Sequence, residues 1–315
     1  MSSLLDAYEK IRAALKESCN TCRSDLIALS GGLDSTIVAC LQREKPAAMT
    51  VIAKDFVSTD LTYCQLAAKE TGLPLSIYST DTTVMLEAVE ETIKILGNFN
   101  DIEIRNSTVM YLAISWAREN GYDSITTGDG ADELFAGYDF MVNMPESKLT
   151  GEIERVCSVM HFSSQKIGKA LGVRVESPFL EDAVVEMALQ IPAELKVKGK
   201  DGKRYGKWIL RKTFEKDIPI QIVWRPKSPM QDGAGTAGLT GLFESLMDGE
   251  KFEEKRLAVR ESDGVTIRSR ESMYYYETYK KTHGVPAKSP DTPCPYCGYG
   301  TDGSRFCRMC GAFPI

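Results

Sequence analysis

Short apolar runs alternate with amphipathic stretches through the first 130 residues of the chain. The apolar runs predict four buried strands, at residues 25–30, 48–53, 73–78 and 124–127. The amphipathic stretches predict five helices, at residues 4–16, 36–42, 60–71, 83–96 and 107–120. This alternation is typical of a parallel sheet with helices on both faces. The sequence therefore predicts an α/β fold with a ligand site beyond the carboxyl ends of the strands.

The rest of the chain follows a different pattern. We predict a ligand-binding lobe at residues 1–144 and a mainly helical part at 145–283 that completes the site. The clearest helices of that part are predicted at residues 184–189 and 203–214. Residues 284–293 contain three prolines and predict a linker, and residues 294–315 form a cysteine-rich segment.

The composition of the chain excludes several classes of protein. With 43% hydrophobic and 26% charged residues, the chain resembles soluble globular proteins, which excludes a wholly disordered chain. No apolar run reaches the roughly 18 residues of a membrane-spanning helix. Asp6 stands where a secretory signal would be apolar, so we expect a cytoplasmic location without membrane contact. A net charge of −6 disfavours non-specific nucleic-acid binding by the whole surface.

The loop SGGLDS at residues 30–35 lies between the first predicted strand and a helix. Its two glycines let the backbone approach a ligand closely, and the helix N-terminus favours an anion such as phosphate. Ser30 and Ser35 add hydroxyl donors. Asp34 would repel phosphate unless Mg²⁺ lay between them, since Mg²⁺ is held by carboxylates together with phosphate oxygens. The loop therefore predicts a phosphate site with Mg²⁺, and the alternative is a tight turn capped by Asp34.

A second motif, TTGDGADELFAGYD, occupies residues 126–139 after the last predicted strand. Helix dipoles stabilise acidic residues in a first turn by about 0.3–1 kcal/mol, which explains Asp132 or Glu133 singly. It does not explain three acids, two glycines and Tyr138 in one short stretch. Together with the phosphate loop, this stretch resembles the asparagine synthase family of the ATP pyrophosphatases (PP-loop enzymes). The resemblance covers roughly residues 20–240 and continues in the family's order at 101–112, 177–196, 207–214 and 224–235.

This resemblance implies an adenine nucleotide alpha hydrolase-like PP-loop fold that uses ATP and Mg²⁺. Such enzymes cleave ATP between the α and β phosphates. They activate a carboxylate as an acyl-adenylate, which ammonia or an amine then attacks. The resemblance therefore implies an ATP-dependent carbon–nitrogen ligase that releases AMP and pyrophosphate.

The resemblance also implies ligands for the nucleotide and the metal. The adenine would meet the backbone of three residues together with one threonine: Leu29, Val51, Gly128 and Thr127. The pyrophosphate would be held by the four small residues of the first loop: Ser30, Gly31, Gly32 and Ser35. The Mg²⁺ ion would be bound by two carboxylates, Asp34 and Asp132.

Four further residues are implied in catalysis. Lys227 would neutralise charge on the reacting phosphorus and on the acyl intermediate, and Arg105 would lie near the phosphates or the carboxylate. Asp129 stands where the family places an acid or tyrosine that does acid/base work on the nucleophile. Glu176 is either a general base or a structural ion-pair partner.

The chain departs from the family in two places. Glutamine-using members begin with a catalytic cysteine on a glutaminase domain, whereas Ser2 follows the initiator here. We therefore expect ammonia, an ammonia-supplying protein or an amine as the nitrogen source. Where the family has E-x-R-x-P-F-L-D, Arg174 and Glu176 stand exchanged and Glu181 replaces the last aspartate. The acyl-acceptor site is therefore expected to differ from the family's.

Two C-x-x-C pairs, each followed by glycine, stand in the cysteine-rich segment: Cys294, Cys297, Cys307 and Cys310. Thiolates with this spacing bind one tetrahedral Zn²⁺. We predict a structural zinc ribbon without chemistry of its own. An odd count of nine cysteines argues against a disulfide framework.

Two other functions stay open. One is a PP-loop enzyme that modifies tRNA or a nucleobase by thiolation or amination. It is favoured by Cys19 and Cys22, by the ribbon, and by the basic stretch from Lys196 to Lys212. That stretch is either a solvated helix, a site that holds pyrophosphate or a phosphorylated substrate, or a contact to the RNA backbone of tRNA.

In that basic stretch, Lys203, Lys207 and Arg211 are predicted on one helical face.

The other open function is a non-catalytic nucleotide-binding regulator. The presence of Lys227 beside the two aspartates argues against it. Homo-oligomerisation stays open as well, and His161 is predicted to be an ordinary packing or surface residue.

Overall fold

The computed structural model describes residues 2–42 and 45–315. Its strands are β1 (Leu26–Ala28), β2 (Ala47–Ala53), β3 (Leu75–Thr80), β4 (Ser124–Thr126), β5 (Arg174–Glu176), β6 (Lys198–Lys200) and β7 (Lys203–Tyr205). The first helices are α1 (Ser2–Thr21), α2 (Leu33–Leu41), α3 (Leu61–Thr71), α4 (Thr82–Leu96), α5 (Asp101–Glu119), α6 (Ala131–Leu134), α7 (Asp139–Val142) and α8 (Glu146–Val159).

The later helices are α9 (Ser163–Leu171), α10 (Asp182–Gln190), α11 (Ala193–Lys196), α12 (Trp208–Phe214), α13 (Ile220–Val223), α14 (Met230–Ala234), α15 (Leu239–Leu246), α16 (Gly249–Asp263) and α17 (Arg270–His283). Single 3-10 turns occur at Pro178–Leu180 and Thr236–Gly238. Within the described part of the chain, no helix has the length and apolar character needed to cross a membrane.

Five of the strands form one parallel sheet in the order β3-β2-β1-β4-β5. The order changes direction at β1, because the chain continues to β2 on one side and to β4 on the other. Parallel α/β sheets bind ligands at such a switch point, beyond the carboxyl ends of the strands. The predicted α/β fold is therefore confirmed, and it places the ligand site next to the loops after β1 and β4.

Both faces of the sheet are covered by helices. Leu26 and Ile27 are adjacent in β1 and both fully buried, and they belong to separate hydrophobic clusters because successive strand residues point to opposite faces. The Leu26 cluster includes residues of α4, α5 and α17, and the Ile27 cluster includes residues of α1, α2 and α12. The sheet is thus buried on both faces, as its continuous apolar strands predict.

Several predicted boundaries differ from the structure. β5 joins the main sheet from beyond residue 144, and the β6–β7 hairpin occupies part of the stretch predicted as the helix 203–214. That helix begins only at Trp208, because Lys207 has a left-handed backbone with φ 54°. α5 begins earlier than predicted because the Asn100 side chain caps it by accepting from the Glu103 N–H.

The substitution Ile27→Ala tests the position of β1 at the centre of the sheet. Removing this fully buried side chain leaves a cavity, so we expect the free energy of unfolding to fall by about 2–5 kcal/mol. Val57→Ala is the control, because Val57 is 85% exposed, and it should change stability by less than about 0.5 kcal/mol. Urea denaturation measures both, and equal losses would contradict the packing described here.

Candidate active site

A pocket of about 560 Å³ opens beside the carboxyl ends of β1 and β4. Its walls come from the loop after β1, from β2, from the loop after β4, from α5, from the start of α9 and from the segment between α13 and α14. With Lys207 and Arg211 at the start of α12, at least seven separate parts of the chain therefore meet at the position where the topology predicts a ligand.

The loop at residues 30–35 folds as an anion cradle at the start of α2. Gly31 has φ 64°, and a Cβ there would overlap the backbone of Tyr63 and Cys64, so no larger residue fits. Across the loop, the hydroxyls of Ser30 and Ser35 lie 3.1 Å apart. The first amides of a helix have no intrahelical partner and carry partial positive charge. The cradle can therefore accept phosphate oxygens.

Two carboxylates from separate loops converge on one ammonium group. Lys207 Nζ donates to Asp34 Oδ2 at 2.6 Å and lies 2.7 Å from Asp132 Oδ1. Lys227 Nζ donates to Asp132 Oδ2 at 2.6 Å. Asp34 lies in the first turn of α2 and Asp132 in α6. Lys207 thus ties the loop after β1 to the loop after β4.

Local backbone features allow Lys207 to come within ion-pair distance of Asp34 and Asp132. A Cβ on Gly137 would overlap Asp132 Oδ1 and Lys207 Cε, so the AGY part of the second motif needs glycine at this position. The left-handed backbone of Lys207 lets its N–H donate to Phe135 O at 2.9 Å, which holds the lysine against the loop after β4. The second motif therefore forms the position that the Lys207 ammonium group occupies.

The charges of this cluster stabilise one another. Burial favours the neutral form of Asp132, but Lys207 and Lys227 outweigh it and hold the pKa of this carboxyl well below its usual range. Burial alone would lower the pKa of Lys227, whereas the carboxylates of Asp132 and Asp34 outweigh burial and raise it. Asp132 and Lys227 are therefore both charged at neutral pH.

The carboxylate pair also fits a divalent cation. Asp34 Oδ1 is buried, and among the described residues no donor reaches it. A buried anionic oxygen without a partner is costly, and a hard cation such as Mg²⁺ would satisfy it. Asp34 and Asp132 are the residues that would hold such an ion beside the phosphate cradle.

The residues expected around the adenine line the same pocket: Leu29, Val51, Thr127 and Gly128. A Cβ on Gly128 would come within 3.0 Å of Ser35 N, so glycine permits the close approach of the loops after β1 and β4. Apolar side chains of α5, such as Met110, cover this side of the pocket. This wall suits a flat, largely apolar ring.

Asp129 lies in the pocket near the start of α9. Ser164 Oγ donates to its Oδ2 at 2.6 Å. Burial raises the pKa of the Asp129 carboxyl, and the nearby carboxylates of Asp34 and Asp132 add to the rise. The structure therefore brings Asp129 into the site, together with Ser164, which the sequence analysis did not single out.

Two residues expected in catalysis lie elsewhere. Arg105 Nη1 donates to Glu271 Oε2 at 2.9 Å, and this arginine does not line the pocket. Glu176 Oε2 accepts from the backbone N–H groups of Arg23 and Ser24 at 2.8 and 3.0 Å, also outside the pocket. Arg105 thus links α5 to α17. The hydrogen bonds of Glu176 favour a structural role for this residue over that of a general base.

The basic helical face expected between Lys196 and Lys212 does not form. Lys203 lies in the hairpin strand β7, whereas Lys207 is 4% and Arg211 6% exposed. Lys207 is instead the central cation of the site. The spacing of these three residues resembles an exposed helix in sequence, whereas Lys207 has a left-handed backbone and a buried side chain.

The four C-terminal cysteines form one compact cluster. All four sulfur atoms lie within 4.8 Å of one another, and all four residues are buried. The glycines after each pair, Gly298 and Gly311, have φ 76° and 72°, and their N–H groups donate to the carbonyls of Cys294 and Cys307 at 2.8 Å. Two equivalent knuckles therefore face each other, as a tetrahedral Zn²⁺ site requires.

The ribbon packs into the main core. Phe99 N donates to Met309 O at 2.9 Å, and Arg268 donates to Cys310 O at 2.7 Å. The cluster of cysteines belongs to the same hydrophobic core as α4, α5 and α17. The segment 284–293 is ordered against the first knuckle, since Ser289 N donates to Gly298 O at 2.8 Å. The second knuckle thus supports the start of α5, whose inner face lines the pocket.

Cys19 and Cys22 lie outside the pocket-lining residues. Burial raises the pKa of each thiol to about 12. A thiol that stays protonated at neutral pH is a poor nucleophile. These cysteines therefore give no support to sulfur transfer at this site.

Comparisons with known proteins place the chain in a family. The family model for asparagine synthase matches residues 8–154 and 153–279. The chain is 27% identical over 311 residues to asparagine synthetase B (glutamine-hydrolyzing) of Escherichia coli (strain K12), covering 90% of this chain and 55% of that protein. A probable asparagine synthetase (glutamine-hydrolyzing) of Dictyostelium discoideum is 29% identical over 297 residues, covering 83% of this chain and 53% of that protein.

One solved structure, an NMN synthetase from Francisella tularensis, aligns over 91% of this chain and 98% of its own with 13% identity and a TM-score of 0.37. The family match covers most of the sequence, so the chain belongs to the asparagine synthase family. It spans about half the length of the curated relatives it matches. The resemblance found in the sequence is thereby confirmed.

The substitution Lys207→Met tests the central ion cluster. It leaves two buried carboxylates without their shared cation, so we expect a loss of about 3–5 kcal/mol in the free energy of unfolding without divalent metal. Mg²⁺ should restore part of this stability, because it can replace the lost charge. Lys212→Met is the control, since Lys212 forms a partly exposed pair with Glu215. Thermal unfolding in EDTA and in MgCl₂ measures both, and equal behaviour of the variants would contradict the assignment.

Metal analysis and chelation test the ribbon. We expect about one zinc ion per chain. Its removal, or Cys307→Ser, should lower the unfolding midpoint by roughly 5 °C or more, because metal binding is coupled to folding. Cys157→Ser is the control, since Cys157 lies outside the cluster. A zinc-free protein with an unchanged midpoint would refute the site.

Proposed function

We propose that this chain is an ATP-dependent amide ligase that forms AMP and pyrophosphate. The convergence of Asp34 and Asp132 beside the phosphate cradle carries this proposal. A site that only bound a nucleotide would not need two carboxylates and two lysines at the phosphates. Family membership supports the same reaction class, since the matched relatives are named asparagine synthetases.

The pocket supports one orientation of ATP in this proposal. The adenine would lie against Leu29, Val51 and the apolar wall of α5, with the phosphates in the loop at residues 30–35. Bound Mg²⁺ would neutralise phosphate oxygens and make pyrophosphate a better leaving group. Once the aspartates hold the metal, Lys207 and Lys227 are free to turn their ammonium groups to the phosphates.

In the first step, a carboxylate oxygen of the second substrate attacks the α-phosphorus. The bond from the α-phosphorus to the bridging oxygen breaks, and pyrophosphate leaves with that oxygen. Two anions must approach each other in this step, so positive charge that is already in place contributes most to the rate. Lys227 lines the pocket and would supply that charge.

In the second step, the nitrogen of ammonia or of an amine attacks the acyl carbon. The acyl–oxygen bond breaks, AMP leaves, and the nitrogen loses a proton. Asp129 lies in the pocket and its pKa is raised by burial, so it is the group placed to accept that proton. The ammonia would come from solution or from a separate supplying protein.

The tRNA-modifying alternative loses two of its supports. The basic stretch is partly buried, and Cys19 and Cys22 lie away from the pocket. Exposed basic residues remain on the β6–β7 hairpin, including Lys203 and Arg204. Binding of tRNA across salt concentrations tests that alternative directly, because phosphate contacts give a steep salt dependence.

The deciding experiment follows pyrophosphate release with ATP, ammonia and a panel of carboxylic acids, with AMP and ADP separated. We expect AMP and pyrophosphate in equal amounts. Formation of ADP and phosphate, or no nucleotide binding at all, would overturn the proposal.

The substitution Lys227→Ala tests the catalytic cation. We expect turnover to fall about a hundredfold or more while the affinity for ATP changes little, because the lysine acts on charge that develops in the transition state. Lys216→Ala, on the exposed surface, is the control and should keep normal turnover. Normal turnover in Lys227→Ala would remove this role.

A further inference from the structure

Lys227 lies in the irregular segment between α13 and α14, and this segment packs against the start of α3. The contacts lie on both sides of the lysine, at Arg225 and at Gly233. A side chain that must turn from a carboxylate to a phosphate acts in one geometry only if its backbone stays in place. The position of Lys227 therefore depends on the start of α3.

Arg225 makes the contact on the N-terminal side of Lys227. Its Nη2 donates to Asp60 Oδ1 at 2.5 Å, and its guanidinium carbon lies 3.8 Å from the centre of the Tyr63 ring. Both side chains of this ion pair are largely buried, with 9% of Arg225 and 11% of Asp60 exposed. A planar guanidinium that is paired along its edge and stacked on its face has little freedom to move. Arg225 therefore fixes the backbone two residues before Lys227.

Gly233 makes the contact on the other side of the lysine. Its carbonyl accepts from Ser58 Oγ at 2.6 Å and from the N–H groups of Thr59 and Asp60 at 3.1 Å. A Cβ at residue 233 would overlap the Asp60 carboxylate, so glycine alone allows this approach. Asp60 is thus common to both contacts, because its side chain holds Arg225 and its N–H holds Gly233.

The start of α3 also contacts the phosphate loop. A Cβ on Gly31 would overlap the backbone of Tyr63 and Cys64, so the loop lies directly on this helix. Arg225 Nη1 reaches toward Gly31 O at 3.5 Å from the other segment. The phosphate loop, the start of α3 and the segment of Lys227 therefore form one packed unit around the Asp60–Arg225 pair.

We propose that Asp60 and Arg225 are positioning residues: their ion pair holds the backbone beside Lys227, so that its ammonium group meets Asp132 and, with ATP bound, the phosphates. This inference rests on the proposed function, which gives Lys227 its catalytic role. The pair acts through the lysine and not through contact with ATP. A small displacement of a catalytic cation costs much of its effect, so removing the pair should act as a partial loss of Lys227.

The test variant is Asp60→Asn together with Arg225→Met. It removes both charges at once, so no single buried charge is left to unfold the protein. The matched control is Asp217→Asn together with Arg12→Met. Arg12 and Asp217 also form an ion pair of 2.5 Å, but this pair is exposed and neither residue lines the pocket. Thermal unfolding checks that both variants are folded.

The first measurement is the acetylation of Lys227 by acetic anhydride in EDTA, which needs no substrate. The reagent attacks only uncharged amines, and nearby carboxylates keep a lysine charged. We expect Lys227 to react at least about tenfold faster in the test variant, measured by peptide mass spectrometry relative to the exposed Lys216. The control should leave the rate unchanged. An unchanged rate in the test variant overturns the inference.

Arg225→Lys is the milder variant and serves if the test variant does not fold. It keeps a positive charge beside Asp60 but has no planar group to stack on Tyr63. We expect Lys227 to be acetylated at least about threefold faster in this variant. An unchanged rate here counts against the inference in the same way.

The second measurement is a double-mutant cycle of AMP formation, with the acid of the panel that is turned over fastest. We expect the test variant to lower kcat at least about tenfold. In a Lys227→Ala background the same two substitutions should lower kcat less than about twofold, because the group that they position is absent. Equal losses in both backgrounds contradict the positioning role.

Binding of α,β-methylene-ATP with Mg²⁺, measured by calorimetry, distinguishes positioning from direct contact. Arg225 also lines the pocket, so an arginine that touched the nucleotide would raise Kd when it is removed. We expect Kd to change less than about threefold in the test variant. A Kd that rises in step with the loss of kcat would assign Arg225 to nucleotide binding and overturn the inference.

The outcomes separate this inference from the proposed function. If no acid of the panel yields AMP and pyrophosphate, the proposed function is wrong, and the acetylation rate of Lys227 still decides whether the pair positions this lysine. If AMP forms but both backgrounds lose equal turnover, the inference is wrong and the proposed function stands.

Discussion

The site depends on one ammonium group placed between two carboxylates. Lys207 joins Asp34, at the start of α2, to Asp132 in the loop after β4. These loops diverge from neighbouring parallel strands, and without a shared cation their negative charges would repel each other. The lysine therefore acts as an internal counter-ion that holds the two loops together.

That arrangement links stability to activity. In the absence of nucleotide, two ammonium groups balance the two carboxylates, while Asp34 Oδ1 keeps no donor among the described residues. Under the proposed function, binding of Mg²⁺ and ATP would replace each partner by another of the same sign. The charges of the pocket would then be balanced both with and without the nucleotide.

Much of this site could be predicted from the sequence. The glycine-rich loop and the second motif are local, and each follows a predicted strand, so their meeting at one sheet edge follows from the parallel topology. The cysteine pairs are also local, and their spacing predicts their geometry. These features lie in short segments whose roles do not depend on distant contacts.

The features that could not be predicted depend on contacts between distant segments. The spacing of Lys207 in the sequence is that of an exposed helix, whereas in the structure this residue has a left-handed backbone, donates to Phe135 O and is buried. Arg105 lies in a matching segment, yet a partner far along the chain, Glu271, draws it away from the pocket. β5 has only three residues, too few for a periodic signal.

The cysteine ribbon has a consequence for the order of events during synthesis. Met309 and Cys310 complete the surroundings of Phe99 and of the start of α5, although they leave the ribosome long after those residues. The pocket wall formed by α5 therefore stays unfinished through most of translation. With zinc in the ribbon as predicted, completion of that wall would depend on the metal as well as on the length of the chain already made.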